Sequence, residues 1–343
     1  MRHAAIALLA IIGLLLPAHA AAIGAASAAG KPLKFVYVTP NPLGVDDFLI
    51  LIKAGVAQAA AKYHASMQVL ESTDPATRQQ NVRAAINEGA AIVVVAGFEF
   101  NDIIAKVAPQ APHTQFLFID QCITKPPANV HCAVFREYEA AYLIGVEAGL
   151  LTKTNKVGAI GALDIPFLHR YTVGFALGAR AANPKVKVST LWIGSDPSAF
   201  SDPVRAKEVA LAMAATGADQ IFAVGSASNR GIFDAAQQKK FFSYGVDVNQ
   251  CPLAPGLIVD NLLKRTDIAA LQTINAIMSG KARSLSVYGL KEGGVGVVPF
   301  ALAKPQSSQC QIMKHADVIA KVKAYQDKII SGALKLKDPA LSS

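Results

Sequence analysis

The chain has 343 residues, of which 52% are hydrophobic and 17% charged, and it carries a formal net charge of +9. This length and apolar fraction are ample for a large core and predict two domains. The lysines and arginines are scattered, with no basic run of five and no interleaved aromatic residues, so we expect no nucleic-acid partner. A positive surface can instead attract acidic solutes or favour an anionic membrane.

The first segment has the composition of a secretory signal peptide. Arg2 precedes an apolar run over residues 4–16, and a proline and small residues follow. The tripeptides at 18–20 and 26–28 both resemble cleavage sites, which predicts a signal peptide within residues 1–28. The apolar run is too short for a membrane-spanning helix, and no cysteine lies near these sites. We therefore expect a soluble protein, exported to the periplasm, without a lipid anchor.

From residue 33 onward, strand-like and helix-like segments alternate in two successive series. The first series predicts strands at 33–39, 67–71, 91–96 and 115–119 and helices at 48–63, 74–88, 101–108 and 138–150. The second predicts strands at 156–160, 186–192, 220–224 and 241–246 and helices at 169–182, 203–216 and 230–239. Continuous apolar strands alternating with helices are typical of parallel sheets covered on both faces. The predicted fold class is therefore α/β, with two doubly wound parallel-sheet lobes.

Four cysteines, at positions 122, 132, 251 and 310, lack the CxxC spacing of a zinc site. An even number in an oxidising compartment indicates disulfides. Cys122 and Cys132 flank a proline-rich loop and are the expected pair, which leaves Cys251 to pair with Cys310. The alternative is four buried free thiols.

Polar residues follow the apolar runs where strands end. In doubly wound sheets, ligands bind at the carboxyl ends of strands, and two facing lobes form a cleft there. This rule selects residues 39–48, Gly97-Phe98, Asp120, 161–164, 225–229, Asp247 and 260–264.

Asp247 and Lys264 are the most informative of these residues. They follow successive strand-like runs and are seventeen positions apart. A carboxylate accepts hydrogen bonds from hydroxyl groups and an ammonium donates to oxygen atoms, so the pair can hold a small polar ligand. Ser226 and Asn229 lie in a strand-to-helix loop and can donate to a hydroxyl.

No motif in the sequence indicates catalysis. The GxSxG, HExxH and Walker patterns are absent, and Gly158 and Gly161 do not complete GxGxxG. We therefore expect a binding protein rather than an enzyme, with no cofactor and no metal. The alternative from another class is a periplasmic hydrolase.

Several ordered runs resemble the basic membrane protein family, which includes purine nucleoside receptors of bacterial ABC importers. These runs are Gly97-Phe98, Phe118-Ile119-Asp120, FREYEAAYLIG at 135–145, TKTNKVG at 152–158, Gly174-Phe175, Gly217-Ala218-Asp219, Gly245-Val246-Asp247 and Leu263-Lys264-Arg265. The resemblance covers residues 33–332. It implies a type I periplasmic-binding-protein fold, with two lobes joined by three crossover strands.

The lobes expected from this resemblance are discontinuous in sequence. The N-terminal lobe would comprise residues 31–137 with about 261–284. The C-terminal lobe would comprise residues 138–260 with about 285–343. The expected partners are a small nucleoside-like ligand and an ABC permease in the membrane, and the expected oligomeric state is a monomer.

The resemblance also implies roles for individual side chains. Asp120, Asp247 and Lys264 would hold a ribose, and the ring of Phe48 would stack on a purine base. This sequence departs from the family beside Phe48, where Leu49 and Ile50 replace the amides that read base edges. Asp46 or Asp47 could accept from a ligand N–H there, and of Phe98 and Phe100 one should face the cleft. The expected ligand-binding set is Asp47, Phe48, Phe98, Asp120, Ser226, Asn229, Asp247 and Lys264.

Together these features predict an exported solute-binding protein of an ABC importer. It would trap a nucleoside or purine-like solute between two lobes and deliver it to a permease. The alternative within the same class is a binding protein for another polyol-like or heterocyclic ligand.

Overall fold

The computed structural model describes residues 32–341, so the predicted signal peptide and its cleavage sites lie outside the described residues. The described strands are β1 (Lys34–Val38), β2 (Ser66–Leu70), β3 (Ile92–Ala96), β4 (Gln115–Ile119), β5 (Val130–Phe135), β6 (Lys156–Gly161), β7 (Lys187–Trp192), β8 (Gln220–Val224), β9 (Phe242–Asp247), β10 (Ile258–Lys264), β11 (Leu285–Tyr288) and β12 (Val295–Val297). The α-helices are α1 (Asp47–Lys62), α2 (Pro75–Asn87), α3 (Asn101–Val107), α4 (Glu137–Leu151), α5 (Pro166–Ala182), α6 (Pro203–Ala215), α7 (Asn229–Lys239), α8 (Thr266–Met278), α9 (Val298–Ala301) and α10 (Ala316–Ser331).

The strands form two six-stranded sheets, one in each lobe. The first sheet has the order β11-β5-β4-β3-β1-β2 and is parallel throughout. The second has the order β12-β10-β9-β8-β6-β7, and β12 pairs antiparallel with β10. Central strands such as β3, with sequence IVVVA, are buried at every position because helices cover both faces. This is the two-lobed architecture of periplasmic binding proteins.

The chain passes between the lobes three times. It leaves the first sheet after β5 and enters α4, which packs on α5. It returns after β10 through α8, which packs on α1, and it crosses once more from β11 to β12. Three crossings at neighbouring strand ends join the lobes along one edge of the cleft.

Two crossings lie a few residues later than the sequence predicted. Residues 261–264, assigned to the N-terminal lobe, complete β10 in the second sheet. Leu285–Tyr288, assigned to the C-terminal lobe, pairs with β5 in the first sheet. An apolar strand carries no local sign of which sheet it joins, because that choice depends on its non-local neighbours.

Two helices of the first lobe begin at acidic residues that cap their N-termini. Asp74 caps α2 by accepting from the backbone N–H of Thr77, and Thr77 answers through its hydroxyl. Asp46 caps α1 by accepting from the N–H of Leu49 at 3.2 Å. The beginning of α1 is thus fixed at the rim of the first lobe. None of the helices within residues 32–341 is long and apolar enough to cross a membrane.

Two disulfides tie loops to the lobes. Cys122 pairs with Cys132, with Cα atoms 5.3 Å apart, and closes the proline-rich loop before β5. Cys251 pairs with Cys310 across 59 positions and joins the turn after β9 to the segment before α10. The second bridge closes a much longer loop than the first.

Because the entropy of the unfolded chain falls more when a longer loop is closed, we expect the two bridges to stabilise the protein unequally. Loss of the second bridge in Cys251→Ala/Cys310→Ala should lower the free energy of unfolding by about 4 kcal/mol. Loss of the first in Cys122→Ala/Cys132→Ala should lower it by about 3 kcal/mol. Urea unfolding of the oxidised proteins measures both, and the reverse order would contradict the expectation.

Candidate functional site

A cleft lies between the lobes at the carboxyl ends of the central strands. It encloses about 710 Å³ of empty space, including the part open to solvent. Its charged lining residues are Asp46, Glu99, Asp120, Asp247 and Lys264. Its aromatic lining residues are Phe48, Phe98, Phe167, Tyr171 and Phe200. The cleft therefore combines several carboxylates, one ammonium and a set of rings.

Three polar residues of the cleft have left-handed backbone conformations. Asp120 follows β4 with φ 71°, Asp247 ends β9 with φ 69°, and Ser226 lies just after β8 with φ 53°. Residues other than glycine rarely adopt the left-handed backbone region, and such backbone strain concentrates at functional sites. In both lobes the strand is broken sharply where a polar side chain meets the cleft.

Among residues 32–341, Lys264 is the one basic residue that lines the cleft. Its side chain, 1% exposed, ends with Nζ 2.5 Å from Asp120 Oδ1 and 3.1 Å from the hydroxyl of Tyr171. The same ammonium lies 5.3 Å from the ring centre of Phe48 and 5.1 Å from that of Phe167, within range of cation–π attraction. Lys264 is on β10 and Asp120 follows β4, so this ion pair joins the two lobes.

Behind Lys264, acidic and basic side chains alternate in a row that leads away from the cleft. Glu137 begins α4, is fully buried, and has Oε1 2.9 Å from Lys264 Nζ and Oε2 3.5 Å from Arg170 Nη1. Arg170 is held by Asp338 through both Nε and Nη2. Burial raises the pKa of Glu137 to about 7 against the opposing charge of Lys264. Burial alone would lower the pKa of Lys264, but Asp120 and Glu137 raise it well above its usual value.

Asp247 lies beside Lys264, at the end of the neighbouring strand of the second sheet. It is 8% exposed, and no donor within residues 32–341 forms a hydrogen bond with its carboxylate. Burial raises the pKa of Asp247 to about 8, although Lys264 pulls it down. A buried, unpartnered carboxyl group at the edge of a cleft is prepared to accept hydrogen bonds from a ligand.

Asp46 supplies a further acceptor on the opposite wall. Its side chain caps α1 and also lines the cleft between Asn41 and Phe48. Burial raises the pKa of Asp46, and the N–H of Leu49 opposes this rise. The sequence left Asp46 and Asp47 as alternatives, and the structure places Asp46 in the cleft.

Six of the eight residues of the expected ligand set line the cleft. They are Phe48, Phe98, Asp120, Ser226, Asp247 and Lys264. Phe100, which brackets Glu99 with Phe98, is fully buried in the first lobe.

Asp47 and Asn229 are not among the residues that line the cleft, and both form hydrogen bonds within the protein. Asn229 is fully buried, accepts from the N–H of Gly225 at 2.7 Å, and donates to Gln250 Oε1. Asp47 accepts from Gln250 Nε2 at 3.1 Å. A residue in a strand-to-helix loop can turn into its own lobe as readily as into the cleft, and the loop sequence does not distinguish these outcomes.

Sequence reasoning missed the contribution of α5. Phe167 and Tyr171 are four residues apart on this helix and therefore share one face, which forms a wall of the cleft. Their rings meet edge-on with centres 5.9 Å apart. The i, i+4 spacing of two aromatic residues at the beginning of a helix after a strand end was the available signal. No group of three or more potential metal ligands is assembled anywhere in residues 32–341.

The raised pKa of Asp247 predicts a pH-dependent stability. In the unfolded chain this carboxyl titrates near 4, so between about pH 4 and pH 8 the folded protein binds the extra proton. The unliganded wild type should therefore lose stability relative to Asp247→Asn as pH rises through this window, by up to about 1.4 kcal/mol per pH unit. Urea unfolding of both proteins from pH 4.5 to 8 measures the difference. A difference that stays constant or grows in favour of the wild type would contradict the assignment.

Comparisons with known proteins agree with this architecture. The family model described as ABC transporter substrate-binding protein PnrA-like matches residues 51–337. The CD4+ T-cell-stimulating antigen of Listeria monocytogenes is 28% identical over 84% of this chain and 82% of its own length. The ABC transporter nucleoside-binding protein BmpA of Lactococcus lactis is 29% identical over 63% of this chain and 65% of its own.

Among solved structures, an ABC transporter solute-binding protein from Aeropyrum pernix K1 superposes with a TM-score of 0.78. It is 26% identical and covers 90% of this chain and 94% of its own. The family match spans both lobes and every residue assigned above to the cleft beyond position 50. The chain belongs to the family of PnrA-like ABC transporter substrate-binding proteins.

Proposed function

We propose that this substrate-binding protein captures a nucleoside, with the ribose held by the charged half of the cleft and the base by its aromatic half. The observation that carries the proposal is the unpartnered carboxyl group of Asp247, which lies beside the Lys264–Asp120 ion pair in a cleft lined by rings. The name of the lactococcal relative, a nucleoside-binding protein, supports the same ligand class.

The charged half suits a ligand with neighbouring hydroxyl groups. Once ionised, Asp247 can accept from two hydroxyls at once, and Asp120 has a second oxygen beyond the one on Lys264. Lys264 lines the same half of the cleft, where its positive charge attracts ligand oxygen atoms. Hydrogen bonds that involve a charged group are stronger than those between neutral groups. The charged half should therefore contribute most to the discrimination between ligands with and without neighbouring hydroxyl groups.

The aromatic half suits a flat heterocycle with N–H donors. Phe48 approaches from the first lobe, and Phe167 and Phe200 approach from the second. Asp46 is acceptor-only when ionised and lies on the same wall as Phe48. Because Leu49 and Ile50 offer no amide to this region, purine nucleosides that carry a ring N–H, such as inosine and guanosine, fit it best.

The two-lobed architecture provides the mechanism of capture. A ligand that contacts both lobes favours the closed arrangement by the contacts it gains there. In the proposed role the protein works as an exported monomer, closes without catalysis, and delivers the solute to an ABC permease.

Nucleosides should therefore stabilise the protein against heat. At a concentration a hundred times the dissociation constant, a ligand of the folded state adds about 2.7 kcal/mol, which corresponds to a rise in melting temperature of about 4 °C. Thermal-shift measurements with inosine, guanosine and adenosine test this. The 2′,3′-dideoxy analogue and the free base serve as matched controls and should give smaller shifts. Stabilisation by a sugar or polyol but by no nucleoside would contradict the proposal.

Removal of the Asp247 carboxylate should weaken nucleoside binding without harming the fold. Asp247→Ala loses hydrogen bonds to two ligand hydroxyls, so we expect at least a hundredfold increase in the dissociation constant, measured by calorimetry. Asp164→Ala is the matched control, because Asp164 also lies near a strand end of the second lobe but is exposed and outside the cleft lining. Equal affinities of the two variants would remove Asp247 from the site.

A further inference from the structure

Asp47 and Asn229, which lie outside the cleft, are joined by a third residue that the sequence did not single out. Gln250 donates to Asp47 and accepts from Asn229. It lies in the loop between β9 and β10 and is 4% exposed. One hydrogen-bonded row thus runs from the interior of the second lobe to the surface of the first.

The orientation of the Gln250 amide is fixed by its surroundings. Its Oε1 lies 3.2 Å from the backbone N–H of Val246, a group that can only donate. The same oxygen accepts from Asn229 Nδ2 at 3.2 Å, and the backbone N–H of Gln250 donates to Asn261 Oδ1 at 3.1 Å. Since Oε1 is engaged inside the second lobe, Nε2 must face outward as a donor.

The outward donor meets an acceptor on the other lobe. Nε2 of Gln250 lies 3.1 Å from Oδ2 of Asp47, the first residue of α1. The residues on either side of Asp47 in sequence, Asp46 and Phe48, both line the cleft. The contact therefore holds the turn that presents these two side chains, although Gln250 itself is not a lining residue.

We propose that Gln250 is a positioning residue that latches the first turn of α1 to the second lobe and so keeps the cleft closed over its ligand. The inference deepens the proposed capture mechanism, and its ligand-dependent readout rests on the proposed function. Asn229 belongs to the latch because it orients the Gln250 amide. On opening, Asp47 returns to water, whereas the Gln250 donor loses its partner across the cleft.

Mutation can exchange the donor and the acceptor of the latch. In Gln250→Glu, one carboxylate oxygen can still accept from Val246 and Asn229, but the other faces Asp47 and repels it. In Asp47→Asn, the side chain keeps an acceptor and gains a donor. The double variant Gln250→Glu/Asp47→Asn restores the hydrogen bond with donor and acceptor exchanged.

The test combines ligand release with the shape of the ligand-free protein. Stopped-flow dissociation of inosine should be about tenfold or more faster in Gln250→Glu than in the wild type, with a much smaller change in the association rate. In the double variant, the dissociation rate of inosine should return most of the way to the wild-type rate. Small-angle scattering of the ligand-free proteins should show a larger radius of gyration for Gln250→Glu and a wild-type radius for the double variant.

Two further variants provide an independent test of the latch and a control. Asp47→Ala removes the latch from the first lobe without touching the buried amide row, so it reports even if Gln250→Glu folds poorly, and inosine should dissociate faster from it. Asp102→Asn is the matched control, because Asp102 is an exposed acid in the first turn of α3 on the same lobe, and it should change nothing.

A double variant no better than Gln250→Glu, or Asp47→Ala with wild-type dissociation and radius, would overturn the latch. If inosine does not bind the wild type, the scattering comparison still decides the inference, while the proposed function fails separately.

Discussion

The buried ammonium of Lys264 is the interaction around which both lobes are arranged. An amine this deeply removed from water is tolerated only when anions surround it. Asp120 comes from the first lobe, and Glu137 comes from the beginning of α4, just after the first crossing between lobes. Lys264 itself ends the strand that precedes the second crossing. Its charge therefore fixes the edge of the cleft where the chain repeatedly changes lobes.

The same charge explains why the cleft divides into two halves. Asp120 and Glu137 both pair with the ammonium, and no basic side chain in the described part of the chain lies within ion-pairing distance of Asp247. The rings of Phe48 and Phe167 lie close to the same ammonium and bring the aromatic half of the cleft next to its charged half. What distinguishes this site is an excess of acceptors over donors. A ligand rich in O–H and N–H groups corrects that imbalance.

Much of this arrangement could be predicted from sequence because parallel sheets obey a simple rule. Apolar runs located the strands, and the residues at their ends located Asp120, Asp247 and Lys264 in one cleft. The rule works because the carboxyl ends of parallel strands share one edge of a sheet. It requires no knowledge of side-chain direction when the polar residue comes directly after the strand.

The rule was not sufficient where the direction of a side chain mattered, or where a strand pairs with a strand distant in sequence. Asp46 and Asp47 are adjacent at the beginning of a helix, and only the packing of α1 decides which one enters the cleft. Asn229 was expected to meet the ligand, but its amide is consumed inside the second lobe. The lobe boundaries near residues 261 and 285 depend on strand pairing across the whole chain. The i, i+4 spacing of Phe167 and Tyr171 indicates a shared helix face, but only the tertiary packing of α5 decides that this face meets the cleft.

The bridge between Cys251 and Cys310 has a consequence for the contact between the lobes. Cys251 directly follows Gln250, and Asn261, which holds the Gln250 backbone, also places its amide 3.0 Å from Cys251 Sγ. The loop that reaches across to α1 is thus anchored covalently at its base. Formation of this disulfide therefore constrains the loop that carries Gln250, and with it the contact to Asp47, in addition to stabilising the folded chain.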